Sequence, residues 1–344
     1  MSTNTTNSSN KSGNEIIQLI AEKKKAVSAF GPYSKEVLDL QKQYVEILRE
    51  RSPEAVEFAL RDLRDIYDHM EGPNSRHSLE TAVDLARAFF DANDLISAKE
   101  CIERVYNAFS VTYGKGDTGT LEAMEWYITI LFEMEEDEEA LKLDEEFLGL
   151  VADTYGPASF ESFRARRNHG DLLVAAERWE HALDTYYALE NAEEAIGFAD
   201  DQLEMSIFQC ASQLKLYARQ RTAMDKHLVN LRTLGAEDID IANAYSGFLD
   251  GFYTSGQYES ALECAKALIP LLQKMGAPAR RSLASVLQTA ALISCKTEDY
   301  QSALKYSEKS LSLAKKCYKY DYDSLAEYQN AYEVVQNTVK GKRK

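Results

Sequence analysis

Trp179-Glu180-His181-Ala182-Leu183, Tyr258-Glu259-Ser260-Ala261-Leu262 and Tyr300-Gln301-Ser302-Ala303-Leu304 are three copies of one pattern: an aromatic residue, then three places later an alanine followed by leucine. Ala55, Ala98, Ala140 and Ala223 fill the same alanine slot, and successive slots are 43, 42, 42, 41, 38 and 42 residues apart. Glycines keep the same step: Gly31, Gly72, Gly114, Gly156, Gly197, Gly235 and Gly276 are spaced by 41, 42, 42, 41, 38 and 41. Two unrelated residue types holding one period identify an array of repeats. Each repeat packs only on its neighbours, so the 344 residues do not divide into the two or three globular domains that length alone suggests.

The glycines punctuate. In Gly31-Pro32-Tyr33-Ser34, Gly72-Pro73-Asn74-Ser75 and Gly156-Pro157-Ala158-Ser159, glycine supplies a left-handed helix stop, proline cannot continue the helix, and serine caps the next one. Between glycines lie two helical stretches and a polar turn, giving seven repeats over 32–72, 73–114, 115–156, 157–197, 198–235, 236–276 and 277–318. The alanine marks where the second helix crosses the first. Twelve residues before it stand Ala86, Gly170, Ala211 and Ala291, small against small, with Gln43, Ile128 and Leu249 as exceptions. The stripe Ile16, Ile17, Leu19, Ile20, Ala26, Val27 and Phe30 predicts a capping helix over 15–30. Leu325, Tyr328, Ala331, Val334 and Val335 predict another within 319–339. The Ser/Thr/Asn-rich segment 1–14 reads as a disordered tail, and 340–344 as a frayed basic one.

The net charge is −17, and −21 without Lys340-Gly341-Lys342-Arg343-Lys344. Such a chain has no basic footprint for nucleic acid; over long range it favours basic, neutral or apolar partners. No apolar run reaches the roughly 18–20 residues of a membrane span, and the N-terminus has no signal-peptide core. Cys101, Cys210, Cys264, Cys295 and Cys317 are odd in number and widely separated, as free thiols in a reducing, cytoplasmic setting would be. Catalytic and cofactor motifs are missing. Gly114-Lys115-Gly116-Asp117-Thr118-Gly119 fits the dinucleotide pattern G-x-G-x-x-G, but it falls on an inter-helix junction with no strand before it. No histidine or cysteine set has zinc spacing, and Glu135-Glu136-Asp137-Glu138-Glu139 occupies a polar turn. The expectation is a non-enzyme with no cofactor and no metal.

The aromatic-x-x-Ala-Leu helix with a small residue twelve positions upstream resembles the tetratricopeptide repeat. The longer period and the junctions Gly31…Ser34…Val37 and Gly156…Ser159…Phe160 resemble its 42-residue variant in kinesin light chains. The resemblance spans residues 31–318; it is strong in repeats two, four, six and seven and weak in one and five. It implies an all-α, right-handed superhelical solenoid whose first helices line a concave groove for a peptide or protein partner. Counted back from the alanine, the groove-facing offsets are −18, −15, −14, −11 and −8. In the fourth repeat they fall on the basic stretch Arg164-Ala165-Arg166-Arg167-Asn168-His169 and place Arg164, Arg167 and Asn168 in the groove; other repeats add Arg87, Gln209, Lys215, Asn243, Tyr253 and Gln288. Asn168 sits where the family often carries an asparagine that bonds an extended peptide backbone. The arginines suit an acidic segment or a C-terminal carboxylate, although the family's carboxylate clamp uses lysines on two consecutive repeats and here only Lys215 is offered. The implied function is a peptide-binding scaffold or adaptor. The alternatives are a structural subunit of a larger assembly using edge and convex surfaces, a peptide-sensing regulator and, last, an enzyme with an unfamiliar site on the helix pairs; separately, Tyr318, Tyr320 and Tyr322 are candidates for a docking patch.

Overall fold

The computed structural model describes residues 5–196 and 202–342. Gly197, the fifth glycine of the periodic series, lies outside the described residues. Two compact units divide the chain, Met1–Ala176 and Glu177–Lys344. The first contains α1 (Thr5–Phe30), α2 (Lys35–Arg51), α3 (Val56–Glu71), α4 (Arg76–Asp91), α5 (Leu95–Tyr113), α6 (Thr118–Glu133), α7 (Asp137–Tyr155) and α8 (Phe160–Ala175). The second contains α9 (Trp179–Ile196), α10 (Leu203–Gln213), α11 (Tyr217–Thr233), α12 (Asp238–Thr254), α13 (Tyr258–Met275), α14 (Arg280–Lys296), α15 (Tyr300–Cys317) and α16 (Tyr322–Lys342). Among the described residues there is no strand. Helix α1 starts at Thr5, inside the segment that composition assigns to a disordered tail.

The junctions between repeats are built from the punctuation. Gly72, Gly114 and Gly156 end α3, α5 and α7 with φ between 92 and 100°. Ser34, Ser75, Asp117 and Ser159 then cap α2, α4, α6 and α8 by accepting a backbone N–H through the side chain. The segment 114–119 is one of these junctions: Gly114 terminates α5, Asp117 caps α6, and a Cβ on Gly119 would stand 2.6 Å from the Phe109 ring. Its glycines therefore serve a helix turn and a close helix–helix approach.

Within repeats, a residue at positive φ closes the turn: Asn93, Glu135, Glu177, Lys215, Gly256 and Glu298. Around four of them the chain makes the six-to-one backbone bond of a Schellman stop, Asp94 N–H to Phe89 C=O, Glu136 to Leu131, Leu216 to Ala211 and Gln257 to Phe252. Five residues after each positive-φ residue comes the buried crossing position: Ala98, Ala140, Ala182, Ala261 and Ala303 are all fully buried. This geometry corrects two anchors. In the fifth repeat the crossing position is Gln220, also fully buried, three residues before Ala223. In the first repeat a 3-10 turn, Pro53–Ala55, replaces the left-handed residue, and the buried position is Ala59; Ala55 is only half-buried. The corrected intervals are 39, 42, 42, 38, 41 and 42, with the shortest one at the short helix α10.

The core of the first unit is continuous, with Leu60, Ile102, Phe109, Met124 and Leu131 closed to solvent. In the second, Phe208 lies between Phe248 and Phe252 at ring distances of 4.8 and 5.0 Å, and α16 packs on α14 and α15. The Gln41 side chain, itself buried, donates to the Ala59 carbonyl at 2.6 Å, which ties α2 to α3 where they cross. Leucine at Ala59, as at Ala182 or Ala261, is expected to cost about 1–3 kcal/mol through overpacking, whereas Ala55→Leu stays within about 0.5 kcal/mol. Thermal melting of the two variants side by side checks the register; equal losses at 55 and 59 would refute it.

Candidate functional site

In the first unit the first helices of successive repeats present a mixed face. Offsets −18, −14 and −11 from the crossing position are Glu80, Asp84 and Arg87 on α4, Glu122, Trp126 and Thr129 on α6, and Arg164, Asn168 and Asp171 on α8. All are exposed or half-exposed, while Ala82, Ala86, Ala123, Ile128 and Ala165 between them are buried. Helical periodicity dictates this division, since the buried stripe packs on the second helices and leaves the opposite stripe open.

The charges on this face pair laterally, from one repeat to the next. Asp84 accepts from Arg49 of α2 at 2.5 Å and lies 3.6 Å from Arg87. The Arg87 guanidinium covers the Trp126 ring at 4.8 Å, and Phe90 meets the same ring edge-on at 5.9 Å. Arg164 and Asn168 both reach Glu125, each at 3.3 Å. Arg167 pairs with Asp171 one turn on. His169 Nδ1 lies 2.6 Å from Asp144 Oδ2, with the aspartate side chain only 3% exposed. Four members of the basic stretch are therefore held by neighbours on α6, α7 and α8. Arg164, with 57% of its side chain exposed, is far more open to solvent than Arg167 at 17%, although it too is paired.

Two cavities open along the face. One, about 540 Å³, is lined by Arg49, Pro53, Leu60, Asp84, Arg87 and Ala92 and includes the 3-10 turn of the first repeat. The other, about 320 Å³, is lined by Glu122, Glu125, Trp126, Phe147, Glu161 and Arg164 among others. Partial desolvation pushes the Glu122 carboxyl above the ordinary glutamate range; Asp84, Glu80 and Glu125 push the same way, and Arg87 opposes them. Glu122, Glu125 and Trp126 were not among the sequence candidates, although they occupy offsets −18, −15 and −14 of the third repeat. The offset rule that points to Arg164 points to them equally; being acidic and aromatic, they lie outside the basic stretch that marks the fourth repeat.

The second unit places its candidates less uniformly. Asn243 is exposed on α12 and lines a cavity of about 220 Å³ with Ile239, Leu268, Leu272 and Pro278. Gln209 is exposed on α10. Lys215 is the left-handed turn residue between α10 and α11, not a first-helix residue; the shifted anchor of the fifth repeat moves it off the face. Tyr253, in the last turn of α12, packs its ring against Tyr258 at 6.0 Å. Gln288 is half-buried and faces Tyr328, Tyr332 and Val335 of α16 across a cavity of about 10 Å³, so the C-terminal helix covers it. Asp250, at offset −11, has its carboxyl raised by desolvation.

Comparison by sequence matches neither a family model nor a curated protein. By structure, the chain is similar to a signal-transduction ATPase with numerous domains from Pyrococcus horikoshii that has a tetratricopeptide repeat sensor. That match has a TM-score of 0.55 and 14% identity, over 91% of this chain and 48% of the ATPase, about half of its length. It is similar to BtubC from P. vanneervenii at a TM-score of 0.53 and 10% identity, over 66% of this chain and 93% of BtubC. A third match is aspartyl phosphate phosphatase F from Bacillus subtilis, with a TM-score of 0.52 and 12% identity over 87% of this chain and 74% of the phosphatase. The fold is of the tetratricopeptide-repeat type.

In this tetratricopeptide-type chain the C-terminal tyrosines divide. Tyr318 stacks on Tyr328 at 5.6 Å and lies under Arg281 at 5.4 Å, whereas Tyr320 and Tyr322 are 82% and 76% exposed. Among the described residues no group of three or more His, Cys, Asp or Glu side chains is placed to hold a metal ion. No described helix is long and apolar enough to cross a membrane. The basic stretch separates into a structural and an open part. His169→Ala leaves the buried Asp144 carboxylate without its hydrogen bond and is expected to cost about 1–3 kcal/mol. Arg164→Ala, which removes an exposed pair, is expected to stay within about 1 kcal/mol. Chemical denaturation of both variants checks this, and a larger loss for Arg164→Ala would reverse the assignment.

Proposed function

We propose that this chain is a non-catalytic interaction scaffold that binds an extended segment of a partner protein along the first-helix faces. One observation carries the reading: the stripe left open by the helix packing holds asparagines, charged groups and aromatic side chains beside cavities of about 320 and 220 Å³. Exposed amides at Asn168 and Asn243 suit the alternating donors and acceptors of an extended backbone, and the adjacent cavities suit its side chains. The 42-residue spacing supports kinship with the kinesin-light-chain variant of the repeat. The five cysteines, free in the structure, fit a cytoplasmic setting. The phosphatase activity in the name of the Bacillus protein is that protein's own, and the scaffold reading does not require it.

A second reading, as a subunit docked through its C-terminal end, draws on the exposure of Tyr320 and Tyr322 together with Val334 at 56%. Selection of short peptides on the intact chain separates the two. The groove reading expects affinity to fall about fivefold, the worth of one hydrogen bond, on Asn168→Ala for a peptide held by the first unit or on Asn243→Ala for one held by the second. Tyr320→Ala is expected to leave that affinity unchanged. Peptides that tolerate both asparagine changes and are lost with Tyr320→Ala would replace it with the docking reading.

A further inference from the structure

The cavity between α6, α7 and α8 is amphipathic in a particular way. Leu121, Phe147, Val151 and Ala165 supply apolar lining, and its charged groups are Glu122, Glu125, Glu161 and Arg164. Glu125 is engaged by Arg164 and Asn168. Glu122 and Glu161 have no ion pair or hydrogen bond among the described residues. Three carboxylates thus face one guanidinium, and that guanidinium is already committed. The sequence expectation of an acidic ligand at Arg164 meets a cavity whose unsatisfied charge is negative.

Resting on the groove reading above, we infer that this cavity takes a lysine or arginine side chain of the bound segment, its cationic head beside Glu122 and Glu161 and its methylene stem along the apolar lining. The argument is one of complementarity. A long cationic side chain is apolar over its stem and charged at its tip, so it can satisfy both parts of such a cavity at once. An acidic side chain would add a fourth carboxylate to the cavity. Desolvation first and then Asp84 hold the Glu122 carboxyl above its ordinary range, with Glu80 and Glu125 adding to the rise and Arg87 only partly offsetting it; an incoming cation relieves this and an incoming anion worsens it. The net charge of −17 draws a basic segment toward the chain from a distance.

The test uses the full chain and two immobilised pools of short, acetylated and amidated peptides, identical and uncharged except for a central arginine in one and a central glutamate in the other. The arginine pool is expected to be retained in preference to the glutamate pool. Glu122→Gln should lower that retention about tenfold, the equivalent of one charge-assisted contact, while leaving helicity intact and the melting temperature equal or higher, because a repelled carboxylate is removed. Arg164→Ala should leave arginine retention equal or raise it, since Glu125 is freed. Lowering the pH should weaken retention, because protonation discharges Glu122, and it should do so from a higher pH than an ordinary glutamate would require. Preference for the glutamate pool, or arginine retention that Glu122→Gln leaves unchanged, overturns the inference; if that retention still depends on Asn168, the groove reading stands. Retention of neither pool overturns both.

Discussion

Close approach of two helix axes at a buried, slot-like position is the constraint on which the rest of the structure depends. Ala98, Ala140, Ala261 and Ala303 are closed to solvent because a second helix begins there across the first. A larger side chain would separate the axes, and with them every stripe that packs on the neighbouring repeat. The turn before the slot has equally little freedom. Three residues connect one helix to the next only if one takes positive φ, and non-glycine residues accept that conformation at Asn93, Glu135, Glu177 and Glu298. Local strain and core packing are thus coupled at one point in each repeat.

That coupling explains what the sequence reveals and what it hides. The period, the all-helical class and the glycine junctions are legible because they rest on residue types with few substitutes. The first and fifth anchors are not, because other solutions fill their slots. Gln220 enters a position made for alanine by turning its amide into a polar network: its Nε2 donates to Ser212 and Ser255, and its Oε1 accepts from Gln257. A buried amide is tolerable when its partners are in place, and no alanine-based template anticipates it. In the first repeat the 3-10 turn lengthens the connection, and the slot moves to Ala59. Each slip propagates to the face: an anchor misplaced by three residues turns a helix by most of a revolution, which is how Lys215 came to be counted as a first-helix residue.

Gln288 illustrates a different limit. Its offset is correct, yet α16 folds over α14 and α15 and covers it. Offset rules describe a repeat flanked by repeats on both sides. At the end of an array the neighbour is a capping helix with its own packing demands, so a position that is open in the middle becomes interior.

The electrostatics follow from the same architecture. The ion pairs Lys23–Asp62, Arg49–Asp84, Arg76–Asp117, Arg164–Glu125 and Arg221–Glu263 join residues 39, 35, 41, 39 and 42 positions apart, one repeat in each case. Stacking places equivalent helices side by side, so a charge finds partners about one period away as well as one helical turn away, as at Arg61–Glu57 and Arg167–Asp171. A basic run read locally, such as Arg164 to Arg167, therefore overstates the positive potential it presents, because Glu125, a whole repeat earlier, compensates Arg164 and Asp171, one turn on, compensates Arg167. The same logic identifies where charge is left over. At Glu122 the matching position of the next repeat is Arg164, but that guanidinium pairs with Glu125, so the Glu122 carboxylate keeps its field in a partly desolvated cleft where screening by salt is weakened. In an array of stacked helix pairs, the charge left open to a ligand is what the stacking fails to cancel, and a local count of arginines does not measure it.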